Sequence, residues 1–175
     1  MVLYRRARVA GACYFLTLCL ADRRRDLLVR HVGLLRGAFR QAMQRRPFKL
    51  EAAVVLPDHV HLLMALPEGD ADYSTRIASL KAGFVSALRR QGERLTASSR
   101  REAKVWQPRF WEHLVRDEQD FAAHVDYIRL NPLKHGLVRQ VVDWPHSSFH
   151  RYVRAGMLPP NWAGGSEAMA TGARE

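Results

Sequence analysis

Apolar and polar positions along this 175-residue chain switch between strand-like runs and helical stripes. Residues 14–20 (Tyr14-Phe15-Leu16-Thr17-Leu18-Cys19-Leu20) are aromatic and apolar and lie between Gly11 and Asp22, which predicts a buried first strand. Residues 21–30 read as a charged loop. From residue 32 to 46, Leu35, Ala38, Phe39, Ala42 and Met43 recur at helical spacing, and Pro47 closes the element. Residues 50–56 predict a second buried strand, Pro57-Asp58 a tight turn, and residues 59–66 a third strand. After the loop Pro67-Glu68-Gly69-Asp70, Ser74 is the expected cap of a helix running to about Arg90, with Ile77, Leu80, Phe84, Ala87 and Leu88 as its core stripe. Residues 92–104 are polar and loop-like, and 106–115 contain a further strand. Asp117 or Glu118 opens a helix to about Leu130, stopped by Pro132. The order β-α-β-β-α-β-α predicts an α+β fold, a mainly antiparallel sheet with α-helices packed against it. Residues 1–160 suit one domain, and 161–175 a flexible C-terminal tail.

Two patterns carry chemistry. On a strand, side chains alternate between faces, so His59 and His61 point one way and Val60 the other, with Cα atoms roughly 6.6 Å apart. Such a pair serves either as metal ligands or as ordinary strand residues, and a partner elsewhere must decide. The last long helix carries two stripes. Phe121, Val125 and Ile128 should face the core; beside them run His124, Tyr127 and Asn131, with Tyr127 and Asn131 one turn apart. A helix lying across the histidine strand would let the Asn131 amide oxygen complete a three-ligand site, with the Tyr127 phenol close by. His124 is either a helper of that phenol or a plain polar contact.

Charge narrows the partners. The net charge is +11, from 28 Lys+Arg against 17 Asp+Glu, which points to a polyanion: nucleic acid first, an anionic membrane surface second. Arg5, Arg6, Arg8, Arg23, Arg24, Arg25 and Arg109 are candidates for phosphate contacts. Trp111, with Trp106 and Phe110, could stack unpaired bases or belong to the core. The two cysteines, Cys13 and Cys19, sit roughly 20 Å apart along one strand, too far to bridge there, and fit a reducing cytoplasmic setting. No apolar run reaches the ~20 residues that cross a bilayer. P-loop and G-x-S-x-G patterns are missing, which removes NTPase and serine-hydrolase readings.

The segments PDHVHLL, WQPRFWEH with RDEQDF, DYIRLNPLKHGLV and DWPHSSFHRY resemble, in order over about residues 5 to 155, the REP-associated tyrosine transposases of the HUH single-tyrosine superfamily. The resemblance implies a ferredoxin-like HUH core, His59 and His61 as metal ligands, Tyr127 as nucleophile and Asn131 as third ligand, where insertion-sequence relatives commonly carry Gln. It also implies Mg²⁺ or Mn²⁺ as cofactor, and a single-stranded DNA hairpin of the repetitive extragenic palindrome type as partner. By the same analogy the protein is a cytoplasmic, nucleoid-associated enzyme, a monomer rather than a dimer, that cuts and rejoins DNA through a 5′-phosphotyrosine. The rival readings are a non-catalytic hairpin-binding module and a metal-dependent hydrolase that releases cut DNA with no protein attached.

Overall fold

The computed structural model describes residues 7–95 and 104–164. Among the described residues, four strands form one antiparallel sheet in the order β2-β3-β1-β4: β1 Cys13–Cys19, β2 Lys49–Val55, β3 His59–Ala65 and β4 Trp111–Leu114. β1 and β3 are central, which explains their continuous apolar runs: both faces are covered. The helices are α1 Leu27–Arg30, α2 Val32–Arg45, α3 Tyr73–Arg90, α4 Glu118–Lys134 and α5 Phe149–Arg154, with a 3-10 turn at Val141–Asp143.

Alternation along β3 divides the core. Val60, Leu62 and Met64 face the layer made by α1, α2 and α3, where they meet Leu35, Ile77, Leu80 and Phe84. Leu63 faces the other side with Phe15, beneath Val125, Tyr127 and Ile128 of α4. The histidines share that second face, so the hydrophobic register of β3 turns them toward α4. Phe84 is fully buried, and its ring centroid lies 5.6 Å from that of Trp106. Phe84→Ala is expected to destabilise the protein by about 3–5 kcal/mol, read as a lower midpoint in urea with an unchanged slope.

Several elements differ from the sequence expectation. The 21–30 loop contains α1, because Leu27 and Leu28 find a fully buried site. The cap of α3 is Asp72, not Ser74: its carboxylate accepts the Thr75 amide at 3.0 Å. Pro132 does not stop α4. It lies buried inside the last turn, where a missing amide forfeits only one bond; the His135 amide donates to the Asn131 carbonyl at 3.0 Å and closes the end. Lys134 is therefore helical, and His135 is the cap.

Beyond Trp144 the chain is more ordered than its composition suggests. Ser147 bridges Val54, the Ser148 amide donates to the Ala53 carbonyl at 2.8 Å, and the Tyr152 hydroxyl donates to the Glu51 carbonyl at 2.6 Å. These contacts cover the outer edge of β2, which would otherwise present unpaired backbone. Of the expected tail, 161–164 is described, and residues 165–175 lie outside the described residues.

Candidate active site

The site grows from three neighbouring elements. In the ladder between β1 and β3, Thr17 stands opposite His61, and Cys19 opposite His59. Thr17 Oγ1 is 2.8 Å from His61 Nδ1. Asp58, in the turn that starts β3, holds His59 Nδ1 at 2.7 Å. Protonation of both rings on Nδ1 would leave Nε2 of each able to coordinate a cation, the arrangement in which outer hydrogen bonds fix the tautomer of a metal-binding histidine. Both imidazoles are about 1% exposed, and their centroids are 4.7 Å apart.

Electrostatics favours the neutral form of His61. Burial pushes the His61 pKa well below its ordinary value, aided by repulsion from His59, His135 and Arg23. Burial opposes ionisation of Asp58, but hydrogen bonds from His59 and Arg23 outweigh it and hold the carboxyl well below the usual carboxylate range. Arg23 Nε lies 2.6 Å from Asp58 Oδ2, so the turn, His59 and an arginine are one connected unit.

Tyr127 comes down on this pair from α4. Its ring is about 3% exposed and stands edge-on to His61, centroids 5.2 Å apart, and edge-on to Phe15 at 5.7 Å. The Lys134 ammonium lies 4.6 Å from the centre of the same ring. Asn131, one turn after Tyr127, is 1% exposed, and its Oδ1 is buried with no hydrogen-bond partner among the described residues. A buried amide oxygen without a donor is costly in an apolar setting and suits a cation as its partner. Two imidazole nitrogens and an amide oxygen therefore fit a divalent metal by donor type, without deciding which metal.

The remaining candidates separate clearly. Arg23, Arg109 and Trp111 line one cavity of about 440 Å³ together with His59, His61 and Tyr127. Trp111 is 44% exposed, whereas Trp106 is buried and belongs to the core. Arg24 instead pairs with Asp22, and Arg25 with Glu93. Arg8 is exposed but does not line this cavity, and Arg5 and Arg6 lie outside the described residues. His124 makes a polar contact through Nδ1, which lies 2.8 Å from the Asp120 carbonyl.

Thr17, Asp58 and Phe15 escaped the sequence reading. The first two share a signal, a polar residue beside or across from the histidine strand, but only the ladder register pairs them with a given ring. Asp58→Asn is expected to weaken Mn²⁺ binding by about 10- to 100-fold in isothermal titration, because the amide loosens His59.

An antiparallel sheet that presents a His-x-His pair to a tyrosine on a packed helix is the framework of the HUH single-tyrosine enzymes. The IS200-like transposase family matches residues 10–131. A REP-associated tyrosine transposase of Escherichia coli strain K12 is 43% identical over 171 residues, covering 98% of this chain and 96% of that protein. A Haemophilus influenzae protein, provisionally described in the same terms, is 44% identical over 171 residues, covering 97% of each. A solved structure of the REP-associated tyrosine transposase bound to a REP hairpin superposes with a TM-score of 0.85 at 42% identity, over 100% of this chain and 99% of that one. The chain belongs to the IS200-like transposase family, in its REP-associated tyrosine transposase branch. It is an enzyme of that class. No helix among the described residues is long and apolar enough to cross a membrane.

Proposed function

We propose that this transposase cuts and rejoins single-stranded DNA beside a hairpin of the repetitive extragenic palindrome type, using Tyr127 as nucleophile. The observation that carries the reading is the packing of the Tyr127 ring against His61, with His59 alongside and the buried Asn131 oxygen one turn away. The relatives support the substrate: one of them is held on a REP hairpin.

The Tyr127 oxygen attacks the scissile phosphorus; the new phosphorus–oxygen bond to tyrosine forms as the bond to the 3′-oxygen breaks, and that oxygen leaves as a hydroxyl after taking up a proton. Because one phosphoester replaces another, a second 3′-hydroxyl can reverse the step and reseal DNA without a nucleotide cofactor. A free phenol ionises only near pH 10, so negative charge growing on the oxygen needs support. Lys134 supplies a positive charge over the ring, and Arg23 and Arg109 line the cavity where the phosphate would lie. A Mg²⁺ or Mn²⁺ ion held by His59, His61 and Asn131 would polarise the phosphoryl group and offset charge on the leaving oxygen. Trp111, exposed at the mouth of the cavity, offers a flat face to an unpaired base beside the hairpin.

The test is a denaturing gel. Protein is mixed with labelled single-stranded oligonucleotides carrying a repeat hairpin from the source genome, with Mn²⁺, Mg²⁺ or EDTA. The expected result is a metal-dependent band that survives denaturation with DNA attached. Cleavage without attachment would make the protein a hydrolase, and hairpin binding with no cleavage would make it a binding module.

A further inference from the structure

The cavity explains where the phenol sits but not what holds α4 at that rotation. Two rows of side chains cross the sheet on the α4 side. One is Leu63, Phe15 and His113; the next is His61, Thr17 and Trp111. Tyr127 packs on His61 of the second row. His124, three residues earlier on the same helical face, packs on the first: its ring centroid is 4.7 Å from Phe15 and 4.7 Å from His113. Rotation of α4 about its axis would carry both side chains off their rows together.

One carboxylate resists that rotation. Asp120, one turn before His124, has a side chain only 8% exposed, so its charge needs directed partners. Oδ2 accepts from His113 Nε2 on β4 at 2.8 Å and from the Arg116 amide at 3.0 Å. Oδ1 lies 3.1 Å from His124 Nδ1. Strand, helix start and helix face meet on this single group.

We propose that His113, Asp120 and His124 form a positioning clamp that ties α4 to the Phe15 row of the sheet and thereby sets the Tyr127 phenol against His61. The proposal rests on Tyr127 being the nucleophile. The same three residues bring ligand atoms within 4.8 Å of one another, which raises a second metal site as the rival. The geometry favours the clamp. The two imidazoles are stacked, with planes 24° apart, so their in-plane lone pairs run nearly side by side instead of converging. His124 Nδ1 is also committed to the Asp120 carbonyl at 2.8 Å.

The experiment compares wild type with Asp120→Asn, His113→Ala and His113→Gln. It measures single-turnover adduct formation at saturating DNA and Mn²⁺, together with hairpin affinity. In parallel, protein labelled with 3-fluorotyrosine reports the Tyr127 environment by fluorine NMR, its signal assigned with Tyr127→Phe. Asp120→Asn and His113→Ala are expected to slow adduct formation about 10- to 100-fold with affinity nearly unchanged, and to shift the Tyr127 signal. His113→Gln, whose amide can still donate to Asp120, should recover most of both. An unmoved signal, a rate loss that glutamine does not recover, or a loss matched by affinity would overturn the clamp. So would a Zn²⁺-induced rise in melting temperature that His113→Ala abolishes, since that marks a metal site. His113 is part-exposed at the sheet edge, so its variants test the idea even where Asp120→Asn does not fold. Because the NMR signal does not depend on catalysis, a wild-type protein that forms no adduct would sink the nucleophile reading while the signal still decides the clamp.

Discussion

Replacing Tyr127 with phenylalanine is expected to abolish the covalent protein–DNA adduct, a fall of roughly 10⁴-fold or more, as removal of an enzyme's nucleophile commonly causes. The substitution deletes one oxygen and keeps the ring. That ring makes the packing contacts: edge-on to Phe15 at 5.7 Å and to His61 at 5.2 Å, with the Lys134 ammonium 4.6 Å from its centre. None of the three needs the hydroxyl, so α4 should stay docked. Hairpin affinity should change by no more than about one hydrogen bond, ~0.5–1.5 kcal/mol. The result to look for is therefore a split: binding retained in a mobility-shift assay, adduct lost on a denaturing gel. An adduct that persists in Tyr127→Phe would move the nucleophile to another residue.

How far the sequence reaches depends on whether the information is periodic or relational. β3 was readable because alternation alone sets His59 and His61 on the face opposite Val60 and Leu62. The stripe His124, Tyr127, Asn131 was readable for the same reason, since helical spacing fixes one face, and all three are buried where α4 meets the sheet. Relational facts were not. Nothing in the spacing of Thr17 and His61 announces that they stand opposite one another; the ladder register does. Asp120 sits in the first turn of α4, where the helix dipole favours any acid, and only β4, by bringing His113 to it, gives its carboxylate a partner on the sheet. α5 was hidden by the Pro- and Gly-rich composition around it, because six residues form a helix only when Phe149 has a core to enter. Proline at 132 misled because its missing amide removes a single i→i−4 bond, a loss that the burial of Pro132 and its neighbours in α4 offsets.

The half-buried Asp120 also predicts a pH signature. Burial opposes its ionisation, yet the hydrogen bonds from His113 and Arg116 prevail and lower its pKa to about 2 from an ordinary 3.8. A carboxyl lowered in the folded state stabilises it above the unfolded value, and the benefit disappears as pH falls through the folded value. The difference in melting temperature between wild type and Asp120→Asn should therefore be full above about pH 4 and shrink toward pH 2.

Loss of His61 should be as damaging to chemistry as loss of the phenol, but by a different route. His61 lies between the other parts of the site: its Nδ1 is held by Thr17, its ring stacks on Phe15 at 5.4 Å, and Tyr127 leans on it. Burial keeps it in the neutral form, which offers a lone pair to a cation without first losing a proton. His61→Ala removes the proposed coordinating nitrogen and a surface against which Tyr127 packs, so raising the metal concentration should not restore function. Adduct formation is expected to fall by well over the roughly 100-fold that loss of an outer-shell partner costs, at every Mn²⁺ and Mg²⁺ concentration tried. Mn²⁺ heats in isothermal titration should fall with it. Hairpin affinity in EDTA should match wild type, because the phosphate contacts expected of Arg23 and Arg109 involve neither the metal nor this ring. Asp58→Asn supplies the contrast: it leaves both imidazoles in place, so excess Mn²⁺ should rescue it. If excess metal rescues His61→Ala equally well, His61 is a packing residue and the donor assigned to it must be sought among other residues.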